Sequence, residues 1–219
     1  MIQNASATCT HDQTRAALIE QIATWFARPP AAAMIAQWQS AEGLAALDAI
    51  ADEFDCDAAV ARLRAALTGA AADTLALDIA VAWTRLFEGV TGAPLVPLYE
   101  SAYIDGQVQA GARLFGHAVD DMNELLVRFD MSVADEREPA DHVSIELALY
   151  ARLLRREDAD GAALVRERLD RWVPTLLGRC QSNDPDGFHG AASSLLGALL
   201  QGRAEPDLQH AKEESHHAD

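Results

Sequence analysis

Lysine is nearly absent from this chain: Lys212 is the only one among 17 basic residues, and the others are arginines. Against them stand 34 acidic residues, which give a formal net charge of −17 and are spread along the whole chain. A surface of this charge repels phosphate backbones and attracts cationic partners, so we expect no nucleic-acid binding.

Cysteine is also scarce. The three cysteines are far apart in sequence and form no C-x-x-C pair. This argues against a disulfide framework or a zinc ribbon and suits a reducing cytoplasm.

Long apolar runs are missing as well. No run approaches the roughly 18 apolar residues of a membrane span, and the N-terminal stretch has no basic region followed by an apolar one, so no secretory signal is expected. Aromatic residues make up only 6%, while Ala and Leu dominate. This mixture favours helices over strands, and the expected fold is all-α.

Apolar periodicity predicts about ten helices and no strand. One apolar stripe includes Ile79 and Leu86, and a later one consists of Phe115, Val119, Met122 and Leu126. Gly69 is predicted to end one helix, and Gly89 is predicted to end the helix of the first stripe.

Thr10 and Gln13 resemble a capping box and predict that the first helix begins there. Pro139 is predicted to begin a helix that runs to about Arg156, because proline suits a first helical turn. Pro174 is predicted to kink or break a later helix.

Two connections interrupt the helical pattern. Residues 89–106, GVTGAPLVPLYESAYIDG, have no helical period yet are too apolar for an ordinary solvated loop. A connection this long is usually functional or packed by its own side chains. Residues 130–138, DMSVADERE, are polar and predict a hinge. It would divide an all-helical domain, residues 1–204, into subdomains of about 10–129 and 139–204, followed by a polar, disordered tail at 205–219.

Catalytic and metal motifs are mostly absent. His142 and Glu146 lie four residues apart, which places them on one helical face, but two ligands do not make a metal site. The chain has no G-x-S-x-G elbow and no phosphate-binding glycine loop. One enzymatic hypothesis stays open, acid/base catalysis by Asp141, His142 and Glu146. Its bland alternative is that Glu138 and Asp141 complement the dipole of their own helix.

A cluster of large apolar residues is a candidate binding surface for a partner. Trp83, Leu86 and Phe87 end a helix directly before the apolar loop that contains Tyr99 and Tyr103. Helical spacing of this kind usually marks plain core. The alternative is an apolar groove with an acidic margin, which suits an amphipathic or basic peptide.

Four segments together resemble the TorD/DmsD family of redox-enzyme maturation chaperones, over about residues 75–180. They are WTRLFEG, PLVPLYESAYIDG, EPADHVSIELALYARLL and RWVP, and E-P-x-D-H followed by E-L is the most specific element. The resemblance implies a cytoplasmic chaperone with no enzymatic activity and no cofactor. It implies that the chain binds the twin-arginine signal peptide of a molybdopterin oxidoreductase of the dimethyl-sulfoxide-reductase type, assists cofactor insertion and delays export. A NarJ-type chaperone for a non-exported molybdoenzyme is the alternative within the family.

The resemblance also implies site residues. Trp83, Leu86 and Phe87 would line the peptide site, and Asp141 and His142, with Glu146 one turn on, would form its polar edge. The loop wall would be Pro97, Tyr99, Glu100, Ser101 and Tyr103. The family more often has Pro-aromatic or Pro-Pro before the serine, whereas this chain has Pro97-Leu98-Tyr99. Both a monomer and a dimer that swaps helices through the hinge stay open.

Overall fold

The computed structural model describes residues 2–89, 92–104, 107–108, 116–133 and 138–201, and for residues 2–10 only the backbone. These residues form ten α-helices, which confirms the all-α prediction. The helices are α1 (Ile2–Ala27), α2 (Ala32–Gln39), α3 (Ala41–Phe54), α4 (Asp57–Thr68), α5 (Ala72–Trp83), α6 (His117–Arg128), α7 (Val143–Arg155), α8 (Ala159–Asp170), α9 (Val173–Asn183) and α10 (Phe188–Gln201). The expected disordered tail lies outside the described residues.

A small two-stranded sheet lies where the long loop ends. Strands β1 (Tyr103–Ile104) and β2 (Gln107–Val108) pair antiparallel, with Tyr103 opposite Val108. The prediction that the chain has no strand was therefore wrong. Two residues per strand are too few to show the alternation by which strands are recognised in a sequence.

A single hydrophobic core joins the two halves of the chain. Ile19 on α1 and Leu47 on α3 belong to the same buried cluster as Leu149 on α7 and Leu196 on α10. Across this boundary the Gln13 amide donates to the Arg155 carbonyl of α7 at 3.1 Å. The division into subdomains at 130–138 therefore stays a prediction about motion, and residues 134–137 lie outside the described part.

Of two helix boundaries predicted from local motifs, one was wrong and one is confirmed. Helix α1 begins at Ile2, before the expected capping box at Thr10. Gln13 uses its side chain to contact α7 instead. The predicted break at Pro174 is confirmed: α8 ends at Asp170, and Pro174 occupies the first turn of the separate helix α9. The missing N–H of proline costs nothing at that position.

Helix α7 begins four residues later than Pro139 predicts. His142 is its N-cap, with an extended backbone and a ring Nδ1 that accepts the N–H of Ser144 at 3.2 Å. Glu138 and Asp141 therefore precede the helix and do not sit in its first turn. The interpretation that they complement the dipole of this helix was wrong, and Glu146 is the acidic residue of that turn.

Helix α5 continues as a π-helix, Thr84–Glu88. Gly89 ends it with a φ of 69°, a left-handed conformation that glycine adopts without strain, as the sequence predicted. Phe115, which the sequence assigns to the stripe of α6, lies outside the described residues. Val119, Met122 and Leu126 of that stripe do pack on the core.

No single helix in the described part of the chain has both the length and the apolar composition of a membrane span. Among the described residues, one pair, Asp57–Thr68 with Ala72–Glu88, meets the criterion when taken together, and it is bent by 112°.

Candidate functional site

The loop after Gly89 folds back on the helices and is held by backbone hydrogen bonds. Val96 donates to the Leu86 carbonyl at 2.9 Å, and Leu98 accepts the N–H of Val143 at 2.8 Å. The Arg179 guanidinium of α9 donates to the Leu95 carbonyl at 2.9 Å. The loop is thus attached to the π-helix, α7 and α9 at once, and this explains why so apolar a segment has a defined path.

The E-P-x-D-H segment lies beside this loop. Asp141 accepts the Ser101 N–H on its carboxylate at 2.9 Å, and its carbonyl accepts the N–H of Glu100 at 3.0 Å. The Tyr99 hydroxyl donates to Glu138 at 2.9 Å. The rings of Tyr99 and His142 meet edge to face, with centroids 5.1 Å apart. The structure therefore brings two of the predicted motif segments together.

His142 is buried and neutral in character. Burial lowers its pKa, although the nearby charges of Glu138 and Asp141 oppose the change. Its Nδ1 lies 2.7 Å from the Ser144 hydroxyl. The ring therefore caps the beginning of α7.

Glu146 lies in a buried polar network one turn into α7. Its side chain is fully buried, and it accepts the Trp172 indole N–H at 3.2 Å and the Arg168 Nε–H at 3.4 Å. Arg168 also pairs with Glu100 and donates to the Ala118 carbonyl at 2.6 Å. One guanidinium therefore ties the loop, α6 and α7 to α8. A charge so deeply buried needs such partners.

Two carboxylates share this one guanidinium. Burial raises the pKa of Glu146 well above its usual value, and the Glu100 charge adds to the rise. Burial likewise raises the pKa of Glu100, opposed by the charge of Arg168. We infer that the pair holds a proton more readily than exposed glutamates do.

This arrangement does not offer an acid and a base to a substrate. Asp141, His142 and Glu146 are all buried, and each is bonded to a different neighbour. No group of three His, Cys, Asp or Glu side chains that could hold a metal ion exists within the described ranges.

The predicted peptide-binding residues divide by exposure. Those that keep part of their surface exposed are Trp83, Tyr99, Glu100 and Ser101. Those that are buried are Leu86, Phe87, Pro97, Tyr103, Asp141, His142 and Glu146. Phe87, for example, packs edge to face on Phe26, Trp83 and His189 with centroids 6.0, 5.7 and 5.1 Å away. Leu86 and Phe87 thus belong to the core in this structure.

Sequence reasoning missed an open groove on the face of α5 that points away from the core. We call it the α5 groove. Its volume is about 570 Å³, and it is lined by Leu77, Ala80, Val81, Thr84, Arg85, Gly89, Ala93 and Leu95. Leu77 and Val81 are 71% and 70% exposed. The signal available in the sequence was their spacing of four, which puts two apolar side chains on the face away from Ile79.

Known proteins resemble this chain along much of its length. A family model described as nitrate reductase delta subunit matches residues 49–178. A chaperone protein TorD of Ferrimonas balearica is 32% identical over 172 residues, which cover 74% of each chain. Another, from Shewanella pealeana, is 25% identical over 199 residues, 89% of this chain and 90% of that one. With the TorD of Aeromonas salmonicida the identity is 31% over 115 residues, so this chain spans about half of that relative, 49%.

Proposed function

This chain is a member of the TorD family of chaperones, matched by the nitrate reductase delta subunit model, and we propose that it assists the maturation of a molybdopterin oxidoreductase. The observation that carries the proposal is the likeness to the Ferrimonas TorD, which extends over 74% of both chains. The relatives bear the names of chaperones, and this agrees with the prediction that the chain is not an enzyme.

The finer proposal is that the chain binds the twin-arginine signal peptide of its client in the cytoplasm. There it delays export of the client, an enzyme of the dimethyl-sulfoxide-reductase type, until the cofactor is inserted. The net charge of −17 supports this, because it attracts a peptide with two guanidinium groups and speeds their encounter.

Direct contact with the client is proposed for the motif residues that keep exposed surface. These are Trp83, Tyr99, Glu100 and Ser101. The buried motif residues position them: Asp141 holds Ser101, and the Glu146–Arg168 pair holds the loop through Glu100. Binding is reversible in this proposal, because the export machinery must take the peptide over.

Titration calorimetry tests the proposal. The purified protein is titrated with the synthetic leader peptide of a molybdoenzyme from the same genome, and with a control leader in which glutamines replace both arginines. We expect heat with the first and weaker binding of the second. Trp83→Ala and Asp141→Ala should weaken binding of the native leader. Absence of heat with every twin-arginine leader of that genome would contradict the finer proposal.

A NarJ-type assembly chaperone is the second candidate, supported by the description of the matching family model. Its client would stay on the cytoplasmic side of the membrane. Co-purification from native extract distinguishes the two. An exported partner supports the first candidate, and a membrane-anchored cytoplasmic partner supports the second.

A further inference from the structure

The α5 groove exposes three large apolar side chains to solvent. Leu77, Val81 and Leu95 are 71%, 70% and 41% exposed, although each is a large aliphatic side chain. They lie in one depression, which they share with Ala80, Ala93 and the open backbone at Gly89. Neighbouring exposed apolar residues of this kind mark an interaction surface more often than isolated ones do.

The groove is built by the π-helix and the anchored loop. The wider turn of Thr84–Glu88 directs Leu86 and Phe87 into the core and leaves Thr84 and Arg85 on the groove side. Such insertions occur frequently at functional sites. The opposite wall is Leu95, whose carbonyl is held by Arg179 at 2.9 Å. The groove therefore exists before any partner arrives.

Charge is distributed unequally along the groove. Asp73 is exposed in the first turn of α5, and Asp78 is exposed in the middle of the helix, next to Leu77. Asp73 lies one turn before Leu77, and Asp78 lies one turn before Val81. At the other end Arg85 pairs with Asp184 at 3.4 Å, and Glu88 is the one exposed acid of the π-helix, against two beside Leu77. An apolar segment with a basic end is complementary to this arrangement when that end lies beside Asp73 and Asp78.

The size of the groove favours a short segment over a second copy of the chain. Eight residues line it, whereas a stable interface between two proteins takes about 20–30 residues on each side. A single amphipathic helix, by contrast, places side chains three and four residues apart into a groove of these dimensions.

We propose that the α5 groove holds the apolar stretch of the client's leader peptide as a helix, with its basic end beside Asp73 and Asp78. This rests on the proposed function, and it assigns the apolar contact to Leu77, Val81 and Leu95. The inward-facing Leu86 and Phe87 then support the groove from behind.

Calorimetry with substituted proteins tests the assignment. Leu77→Ser and Val81→Ser are compared with Val127→Ser, which alters a side chain on α6 that is 81% exposed. The probe is the same synthetic leader, together with a version whose apolar stretch is replaced by serine and glycine. Because all three side chains are exposed, the urea midpoints should stay close to that of the native protein.

We expect Leu77→Ser and Val81→Ser each to weaken binding of the native leader by about tenfold, with no change for Val127→Ser. Both should bind the serine–glycine peptide as poorly as the native protein does. Asp73→Asn with Asp78→Asn should weaken binding at low salt and converge with the native protein at high salt. Asp160→Asn, exposed on α8, is the control for charge and should change nothing.

The outcomes separate this inference from the function it rests on. If the native protein binds the leader and the two serine variants bind equally well, the groove assignment is wrong and the function stands. An equal loss with Val127→Ser also overturns the assignment, since the effect is then not specific to the groove. If the native protein binds no leader, the signal-peptide function fails and the groove loses its occupant.

Discussion

The Asp141 carboxylate accepts the backbone N–H of Ser101 at 2.9 Å, across 40 residues of sequence. The Asp141 carbonyl accepts the neighbouring N–H of Glu100 at 3.0 Å. One residue therefore holds the returning loop by its side chain and its backbone. The link explains why the P-L-Y-E-S and E-P-x-D-H segments occur together in this chain.

Replacing Asp141 should loosen this loop. Asp141→Ala removes the acceptor of a partly buried N–H, and we expect a loss of about 1–3 kcal/mol in the free energy of unfolding. Asp141→Asn keeps an oxygen acceptor and should lose less. Urea unfolding measures both, and limited proteolysis within residues 92–104 should quicken for the alanine variant. If Asn and Ala cost the same, the hydrogen bond to Ser101 is not what holds the loop.

The shared guanidinium of Arg168 gives Glu146 a pH-dependent role. Folding raises the pKa of Glu146 well above 4.5, because its side chain is buried and the Glu100 charge lies nearby. The folded state therefore holds this proton more tightly than the unfolded chain. The contribution of Glu146 to the free energy of unfolding falls as the pH rises above about 4.5. This loss of stability is complete once the pH exceeds the pKa of Glu146 in the folded state.

Glu146→Gln should remove this dependence, because glutamine resembles the protonated acid in shape. We expect the stability of the variant relative to the native protein to increase as the pH rises from about 4 to 8. Urea unfolding at several pH values measures it. Glu124→Gln, exposed on α6, is the matched control for replacing a carboxylate by an amide. A difference between Glu146→Gln and the native protein that is constant with pH would contradict the idea.

The sequence predicted much of the fold because helix ends and apolar stripes depend on residues that are close together in the chain. Gly69 and Gly89 end helices where expected, and the stripe through Ile79 and Leu86 does face the core. Periodicity of 3.6 residues is sufficient for such elements. Boundaries failed at Thr10, where a helical turn continued through a motif that resembles a cap.

The candidate site was harder to predict because its contacts are distant in sequence. Glu146 contacts Arg168 on another helix, and no local sequence pattern predicts such a pair. At the end of α5 the π-helix breaks the 3.6-residue period. The sequence therefore could not decide whether Leu86 and Phe87 line a groove or the core. Leu77 and Val81 have the spacing of neighbours on one helical face, but they belong to no motif that indicates a binding site.

His189 should titrate far below an ordinary histidine. Its ring is buried between Phe87 and Phe188, with centroids 5.1 and 5.4 Å away. Burial lowers its pKa to about 4, although the Asp184 charge opposes this and the Arg85 charge assists it. The unfolded value is near 6.5. The contribution of His189 is therefore fully present above pH 6.5 and is lost as the pH falls toward 4.

NMR titration of the imidazole measures this directly. We expect the His189 ring signals to stay constant from neutral pH to about pH 5. His189→Gln should lose less stability than the native protein over the same acid range, since it has no proton to bind. A midpoint near 6.5 for His189 would contradict the buried, neutral ring. This trend is opposite in sign to that of Glu146, so each variant isolates one of them.

Gly89 and Gly178 make a matched pair for the last prediction. Gly89 has a φ of +69°, and a Cβ there would lie 2.6 Å from the Pro94 nitrogen. Gly178, exposed within α9, has no such neighbour within 4 Å. Gly89→Ala should cost about 1–3 kcal/mol from backbone strain. Gly178→Ala should gain roughly 0.5–1 kcal/mol, because alanine restricts the unfolded chain.

The two variants should also differ in binding. Gly89 lines the α5 groove and sets the path of the loop that carries Leu95. A shifted loop would move Leu95 away from Val81, so Gly89→Ala should bind the leader peptide more weakly at temperatures where it is still folded. Gly178→Ala should bind like the native protein. Calorimetry alongside urea unfolding measures both properties. Normal binding by a destabilised Gly89→Ala would mean that the loop wall is not part of the peptide site.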